Sequence, residues 1–252
     1  MRRPAPTRPA ALTRAASLTG AQDHGYDCQF NCSDARQNYD KVAALAAAYQ
    51  GVPLWMTEVC YAYNGDDVNC ATAATLPKCV DYPRNASLAP PLPRTDFADG
   101  ATWGERLVRE LQAGASGWIY WNLLLDTHGG PFNLSPRHND GPRNYQHPLV
   151  IVDTVAGTFH PTGLFRFLAH FSRFLRPGAT RLGAAERGLP AGVSAVAFRA
   201  PAAVEEEGEE AVLQLVNRAA SAATVAVCSG GRVAMLELPP ISITTARWSG
   251  GR

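Results

Sequence analysis

Two short apolar runs set the strongest limit on the fold of this chain. Residues 53–59, PLWMTEV, and residues 117–125, GWIYWNLLL, are typical of buried strands because they are short, apolar and bounded by turn residues. Each run follows a segment with helical patterning, and each precedes a long loop. Strands that alternate with helices predict parallel βα units, and long loops after the strands are typical of the active-site rim of a (β/α)8 barrel.

The rest of the alternation is short. Helices are predicted at residues 34–49, 102–113 and 161–175, and a further strand at residues 149–152. The second helix has Trp103, Leu107, Val108 and Leu111 on one face, and the third has Pro161 near its first turn. These units make less than half of an eight-stranded barrel. We therefore predict an α/β fold that contains a partial (β/α)8 TIM barrel, namely its C-terminal βα units.

The pattern changes from about Thr180 onward. Short strand-like runs such as AVLQLVN and ISITTARW are separated by turn residues, which predicts a small all-β sandwich domain. The predicted division is a tail at residues 1–20, either disordered or artificial, the barrel part at 21–177 and the β-domain at 178–252. The tail is rich in Arg and lacks acidic residues, so an organelle transit peptide is the alternative.

Composition excludes several classes of partner. The net charge of +1 gives no strong field for nucleic acid, and no apolar run reaches the roughly 18 residues of a membrane span. Six cysteines, five of them within residues 28–79, and three glycosylation sequons favour an oxidising compartment. No cofactor is expected. His24, Cys28 and Cys32 allow a metal site, but no second Cys/His pair follows at zinc-finger spacing, and we expect none.

Glu58 is the residue with the clearest chemical potential. It lies near the carboxyl end of a predicted strand, where a parallel barrel faces its substrate, although a strand-end Glu in a salt bridge has the same pattern. Trp121 and Asn122 occupy the corresponding end of the next strand. An indole ring packs well against the C–H face of a sugar and an Asn side chain can hydrogen-bond a hydroxyl, whereas a core Trp is the simpler alternative. Trp55 and Trp118 are expected in the core.

These residues also carry a family resemblance. The chain resembles glycoside hydrolase family 30, and within it the glucosylceramidases, from about Asp23 to Arg181. The motifs that match in order and approximate spacing are Thr57-Glu58-Val59-Cys60, Gly117-Trp118-Ile119-Tyr120-Trp121-Asn122-Leu123, Gly129-Gly130-Pro131, Pro148-Leu149-Val150-Ile151-Val152-Asp153, Thr158-Phe159, and Leu168-Ala169-His170-Phe171-Ser172-Arg173-Phe174.

The resemblance implies a retaining mechanism and a set of residue roles. Glu58 corresponds to the catalytic nucleophile, and Trp121 corresponds to the Trp that borders the sugar. Tyr26 and His24 map to the lining of the cleft, and Asn144 maps to a residue near the sugar. The implied substrate is a glycolipid, glucosylceramide, or another β-glycoside, and the implied location is secreted, lysosomal or vacuolar. No nucleic-acid partner and no transmembrane segment are expected; peripheral contact with a lipid surface stays open.

The sequence departs from the family at one essential point. The family's acid/base carboxyl lies in an Asn-Glu-Pro segment on an earlier strand, and no Asn-Glu pair occurs in these 252 residues. We expect a truncated chain that lacks this residue. The alternatives are a non-catalytic carbohydrate-binding remnant, another family 30 β-glycosidase such as a xylanase, and a small secreted disulfide-bonded module.

Overall fold

A computed structural model describes residues 21–24, 39–59, 62–64, 97–127, 144–146, 148–183, 186–201 and 209–249. In chain order the elements are β1 (Ala21–His24), α1 (Tyr39–Ala48), β2 (Leu54–Val59), β3 (Ala62–Asn64), α2 (Phe97–Ala113), β4 (Gly117–Tyr120), β5 (Leu124–Asp126), β6 (Asn144–Gln146), β7 (Val150–Asp153), β8 (Thr158–Pro161), α3 (Gly163–Phe174), β9 (Thr180–Arg181), β10 (Val193–Pro201), β11 (Glu209–Asn217), β12 (Ala223–Ser229), β13 (Arg232–Leu238) and β14 (Ser242–Ser249).

A parallel three-stranded sheet contains the first predicted apolar run. Strand β2 lies at its centre and pairs in parallel with β1 on one side and β4 on the other. The parallel pairing confirms the expectation drawn from the alternation of helices and strands. A second small sheet contains β5, β7 and β8, in which β5 and β7 are parallel.

Helix α2 covers one face of the parallel sheet. Its Trp103 packs edge-on against Tyr120, with ring centroids 5.1 Å apart, and also against Trp118 of the same strand. The predicted apolar face is confirmed, because Trp103, Leu107 and Val108 are buried. The helix begins at Phe97, five residues before the predicted start. The contact with β4 therefore fixes the strand that carries the second apolar run.

Helices α2 and α3 approach each other closely at two glycines. A Cβ atom added to Gly100 would lie 2.5 Å from the backbone carbonyl carbon of Gly163, and one added to Gly104 would lie 2.6 Å from the ring of Phe167. Phe167 is fully buried. A larger side chain at position 100 would displace the backbone of the partner helix, and one at position 104 would displace the buried Phe167 ring, so both glycines permit the close approach of the helices.

Helix α3 starts two residues later than predicted. Thr162 caps it, with the Thr162 Oγ1 atom accepting a hydrogen bond from the backbone N–H of Phe165 at 3.3 Å. Pro161 therefore does not lie in the first helical turn but ends β8. The Thr162 hydroxyl also donates to the carbonyls of Pro148 and Leu149, which fixes the start of the helix against the loop before β7.

The second apolar run does not form the single strand predicted for residues 117–125. Strand β4 ends at Tyr120, and β5 begins at Leu124 in another sheet. Between them, the carbonyls of Asn122 and Leu123 accept hydrogen bonds from the N–H groups of Leu149 and Val150. The backbone thus exchanges one pairing partner for another. An uninterrupted apolar run gives no sign of such an exchange, because the residues on both sides of it are apolar.

The C-terminal part contains the predicted strands. Strands β14, β11, β10 and β9 form an antiparallel sheet in that order, and β12 and β13 form a hairpin whose Val225 and Leu238 pack against Leu213 and Leu215 of the sheet. Asn217 is fully buried and secures two turns: its Nδ2 donates to the carbonyls of Ser221 and Pro239, both at 2.9 Å. Its Oδ1 accepts from the N–H of Ala219, which completes the hydrogen bonding of the side chain.

One hydrophobic core joins the helices to the C-terminal sheet. Phe167 and Phe171 of α3, with Leu107 and Val108 of α2, pack against side chains of β10 and β11; the cluster comprises Ala101, Leu107, Val108, Phe167, Phe171, Val196, Phe198 and Val216. The Glu105 carboxylate of α2 pairs with the Arg218 guanidinium, just after β11. The division of domains at residues 177 and 178 stays a prediction.

Candidate functional site

Glu58 and Trp121 lie at the same rim of the parallel sheet. Glu58 is the second-to-last residue of β2, and Trp121 directly follows β4. The two strands are hydrogen-bonded neighbours, and residue 59 pairs with Tyr120. Because parallel strands end at a common edge, the carboxylate and the indole ring belong to adjacent strand ends, as the sequence predicts.

Strand β2 has one extra residue just before this rim. Its pairing with β1 advances from Met56 to Glu58 while β1 advances by a single residue, from Asp23 to His24. Its pairing with β4 advances from Met56 to residue 59 while β4 advances only from Trp118 to Tyr120. The register therefore slips by one residue against both neighbours in the same place, which is the pattern of a β-bulge.

The slip decides which face of the sheet carries Glu58. Met56 is buried against the ring of Trp103, and strict alternation would give residue 58 the same face. With the extra residue, position 59 instead pairs with Tyr120, whose ring also contacts Trp103. Glu58, one position earlier, consequently belongs to the opposite face, together with Ile119.

That opposite face is apolar and exposed. Trp55 and Ile119 belong to it by register, with 48% and 45% of their surface accessible, and Trp121 at the rim is 47% exposed. The prediction of a core position for Trp55 is wrong, because the helices cover only the other face. Trp118 does pack against the core, as predicted. The Glu58 carboxylate thus shares a face with aromatic and aliphatic surface.

Of the remaining predicted site residues, some lie next to Glu58 or Trp121 and others do not. His24 ends β1, as expected of a strand end, and is the register neighbour of Glu58. Asn122 is half-buried one residue after Trp121, and the peptide bond between the two is cis. Asn144 begins β6 and pairs with Asn64 of β3, in a sheet separate from that of Glu58. Tyr26 lies outside the described residues.

Sequence reasoning missed Thr57 as a residue that positions the site. Thr57 is the one residue of β2 that has no counterpart in β1 or in β4, and it directly precedes Glu58. The run LWMTEV shows no break in its pattern that would reveal an extra residue. Only the pairing of β2 with both neighbouring strands reveals it.

Other chemical features of the described residues lie elsewhere. A cavity of about 410 Å³ between α1, α2 and β10 includes none of the predicted site residues in its lining. Within the described part of the chain, no cluster of three or more His, Cys, Asp or Glu side chains is arranged to hold a metal ion. Cys28 and Cys32, which with His24 would allow a metal site in the sequence, lie outside the described residues. No described helix is both long and apolar enough to cross a membrane.

A family of glycosidases matches the middle of the chain. Residues 93–175 match the glycosyl hydrolase family 30 TIM-barrel domain. This stretch contains α2, β4, β5, β7, β8 and α3, and with them Trp121 and Asn122. Glu58 lies before its first residue.

Curated relatives with related names match over longer or similar stretches. The chain is 32% identical to putative glucosylceramidase 3 of Caenorhabditis elegans over 154 residues, which are 61% of this chain and 27% of that protein. It is 30% identical to the lysosomal acid glucosylceramidase of Mus musculus over 83 residues, or 15% of that protein. The chain thus spans about a quarter of the length of the first relative.

Solved structures share the fold. SrfJ from Salmonella typhimurium superposes with a TM-score of 0.61 at 21% identity, over 84% of this chain and 38% of that one. The endo-β-1,6-glucanase BT3312 gives a TM-score of 0.63 at 20% identity, over 93% of this chain and 42% of that one. The matched motifs, the parallel sheet and these similarities agree: the chain resembles glycoside hydrolase family 30, with residues 93–175 matching its TIM-barrel domain, and it is similar to the glucosylceramidases of that family.

Proposed function

We propose that this chain is part of a retaining β-glycosidase of the glucosylceramidase type, with Glu58 as the nucleophile. The observation that carries the proposal is the register slip in β2. It gives Glu58 the face of the parallel sheet that the helices leave uncovered, at the rim shared with Trp121.

The chemistry follows from a carboxylate beside an aromatic wall. The indole of Trp121 offers a flat apolar surface to the C–H face of a sugar, while Asn122 supplies an amide for a hydroxyl. A sugar held there exposes its anomeric carbon to Glu58. Attack by one carboxylate oxygen forms a glycosyl ester as the bond to the leaving oxygen breaks, and water then hydrolyses the ester.

A second carboxyl group completes this reaction. It donates a proton to the departing oxygen and afterwards removes one from the attacking water, which requires a separation of about 5–5.5 Å from the nucleophile. The absence of any Asn-Glu pair in the sequence, together with the quarter of the relative's length that the chain spans, supports a source outside these 252 residues. We therefore expect the chain alone to lack turnover.

The fold that we propose for the catalytic part is the C-terminal portion of a (β/α)8 barrel, followed by a β-sandwich. The proposed substrate is glucosylceramide, which would yield glucose and ceramide, and the proposed location is lysosomal or secreted. The names of the nematode and mouse relatives support this choice. His24 is proposed as a further residue at the sugar, since it neighbours Glu58 in the sheet.

A mechanism-based cyclitol epoxide tests the role of Glu58. The chain is mixed with a second polypeptide that contains the part of the nematode relative outside the 154 matched residues. After reaction with the epoxide, the proteins are digested and the peptide masses are measured by mass spectrometry. We expect one covalent adduct on the peptide that contains Glu58. Glu58→Gln should abolish the adduct and lower hydrolysis by about three orders of magnitude or more.

A matched control uses a carboxylate with a known structural partner. Glu210 lies in β11 and forms a bidentate ion pair with Arg247, so Glu210→Gln should leave the adduct on Glu58 intact. Labelling of another carboxylate, or no labelling of an assembly shown to have formed, would contradict the proposal. Comparison of glucosylceramide with xylan as substrates separates the glucosylceramidase from the xylanase alternative.

A further inference from the structure

A polar cavity lies between α1, α2 and β10, and its lining includes no residue of the parallel sheet that carries Glu58. Its volume is about 410 Å³, which is within the range of pockets that hold small organic molecules. The proposed glycosidase reaction makes no use of it. The polar side chains of its lining belong to Tyr39, Asp40, Arg109, Gln112, Glu186 and Ser194. This space is called the helix cavity below.

Ser194 lies at the buried end of the helix cavity. Side chains alternate along a strand, so Ser194 shares a face of β10 with Val196 and Phe198, which pack into the core against α2 and α3. The residue is only 8% exposed, and within the described part of the chain its Oγ atom has no hydrogen-bond partner. Burial of a hydroxyl without a partner is unfavourable. A ligand hydroxyl at this end of the cavity would supply the missing partner.

Two side chains of α2 offer further polar atoms to the helix cavity. Arg109 is half exposed; it donates from Nε and Nη2 to Glu105, and a guanidinium carries further N–H donors. Gln112 donates from Nε2 to Glu186 and to the Ala195 carbonyl, and its Oε1 atom is an acceptor. The cavity therefore combines donors and acceptors that contacts within the chain hold in position.

The charges around the helix cavity favour a neutral ligand. The Arg109 guanidinium already has the Glu105 carboxylate as an ion-pair partner, while Asp40 and Glu186 add two exposed carboxylates to the lining. These carboxylates repel an anion, and the guanidinium repels an organic cation. A neutral ligand with many hydroxyl groups can hydrogen-bond to both kinds of group, because each hydroxyl donates and accepts.

We infer that the helix cavity binds a neutral sugar unit, at a site separate from the proposed catalytic site. A sugar ring carries several hydroxyl groups, and its C–H faces pack on apolar surface such as that of Ala113 and Val193 in the same lining. One sugar hydroxyl pairs with the buried Ser194 hydroxyl, and others pair with Arg109 and Asp40 nearer the exposed end. The inference does not depend on the role of Glu58.

Glucose is the probe, and Ser194→Ala is the first test. Titration of the unsubstituted chain with glucose, followed by saturation-transfer difference NMR, should give a Kd on the order of 1–10 mM. Ser194→Ala removes one hydroxyl from the site and should weaken binding about 3- to 10-fold. Without glucose, the same substitution should leave the urea midpoint of unfolding unchanged or raise it, because the described structure gives the lost hydroxyl no partner.

A substitution that fills the helix cavity gives the second test. Ala43 lines the cavity from α1 and is exposed, so Ala43→Phe places an aromatic ring in the space and should weaken glucose binding by more than about 10-fold. Ala47→Phe is the matched control, because Ala47 is equally an exposed residue of α1 but does not belong to the lining. This control should bind glucose as the unsubstituted chain does.

Trp121→Ala separates the helix cavity from the rim beside Glu58, and we expect this variant to bind glucose with an unchanged Kd. Four outcomes would overturn the inference. These are no binding of glucose by the unsubstituted chain, binding that neither Ser194→Ala nor Ala43→Phe weakens, loss of binding with Trp121→Ala, and displacement of glucose by an equal concentration of phosphate or ethanolamine. A missing cyclitol adduct on Glu58 would reject the catalytic role alone, so the two proposals fail separately.

Discussion

Glu58 pairs with His24 across the parallel sheet, although the pairing that precedes it joins Asp23 to Met56. Between these two pairs, β2 advances by two residues while β1 advances by one. The same surplus occurs against β4, so the slip is a property of β2 itself. It separates the residue that contacts Trp103, Met56, from the carboxylate two positions later.

Deletion of Thr57 should remove the bulge and leave residue 58 on the uncovered face. Without the extra residue, Glu58 directly follows Met56, and neighbouring residues of a regular strand point to opposite faces. The measurement uses Glu58→Cys with and without the deletion, modification by a maleimide, and peptide mapping to separate position 58 from the native cysteines. We expect position 58 to be modified at a similar rate in both variants.

Thr57→Val serves as the control for the deletion. It keeps the number of residues in β2 and has nearly the same shape, so position 58 should react at the rate seen with Thr57 present. Much slower modification of position 58 in the deletion variant would contradict the assignment of Thr57 as the extra residue of β2.

Glu105 should contribute to the stability of the contact between α2 and the end of β11. Its carboxylate pairs with Arg218 and accepts two hydrogen bonds from Arg109, and it is largely buried. Glu105→Gln removes the negative charge and leaves the guanidinium groups of Arg109 and Arg218 without a charged partner at this position. We expect a loss of about 1–2 kcal/mol in the free energy of unfolding, measured in urea.

An exposed ion pair in the same chain gives the reference for that substitution. Glu209 and Arg199 lie 3.7 Å apart, and both side chains are mostly accessible to water. Glu209→Gln should lower the free energy of unfolding by less than about 1 kcal/mol. Equal losses for the two Glu→Gln substitutions would argue against a structural role for Glu105.

Gly100→Ala should destabilise the chain through the contact between α2 and α3. The added methyl group would meet backbone atoms of Gly163, which cannot rotate away as a side chain can. Overpacking of this kind costs about 1–3 kcal/mol, and the gain in helix propensity of about 1 kcal/mol offsets part of it. A net loss of about 1–2 kcal/mol in thermal or urea unfolding is expected.

Gly183 is the matched control for Gly100. A Cβ at this position would meet no atom within 4 Å, and its backbone does not require a positive φ. Gly183→Ala should be neutral, or stabilising by about 0.4–1 kcal/mol, because it restricts the unfolded chain. A stabilising effect of Gly100→Ala would contradict the close approach of the two helices.

His170 should make the stability of the chain depend on pH. Its Nδ1 donates to Thr245 at 2.8 Å, the Thr245 hydroxyl donates to Gln214 at 2.7 Å, and Gln214 donates back to the His170 carbonyl. Burial, and then the charge of Arg173, lower the pKa of His170 below its ordinary value. The folded chain therefore binds a proton at this site less readily than the unfolded chain does.

The sign of the effect follows from that difference. The contribution of neutral His170 is fully present above a pH of about 6.5, the ordinary pKa of histidine. It is lost as the pH falls from there through the lowered pKa of the folded state. Urea unfolding at pH 7.5, 6.5 and 5.5 should show a larger loss for the unsubstituted chain than for His170→Asn, which keeps a donor but does not titrate. An identical dependence of the free energy of unfolding on pH in the two chains would reject this role for His170.

The helices were the most predictable part of the fold. In α3, buried Leu164, Phe167 and Phe171 recur at helical spacing, so the sequence pattern and the packing coincide. The boundary was less predictable, because Pro161 suits a first helical turn as well as it suits the end of a strand. The cap is instead Thr162, whose hydroxyl is held in place by hydrogen bonds to the carbonyls of Pro148 and Leu149.

The strand ends show what a sequence pattern cannot contain. Hydrophobicity placed Glu58 and Trp121 on neighbouring strand ends, and the pairing of residue 59 with Tyr120 agrees. The slip at Thr57 and the exchange of partners after Tyr120 depend on hydrogen bonds to residues distant in the chain. The exposure of Trp55 depends on which face the helices cover, and an apolar residue has the same pattern on either face.

The buried amide of Asn217 joins two connections that are far apart in the order of strands. The chain leaves β11 on one side of it, and the chain between β13 and β14 passes on the other. Neither turn can open without breaking a bond to the same side chain. Amide hydrogens at the two turns should therefore exchange with solvent at a common rate, as one cooperative unit rather than as two independently fraying ends.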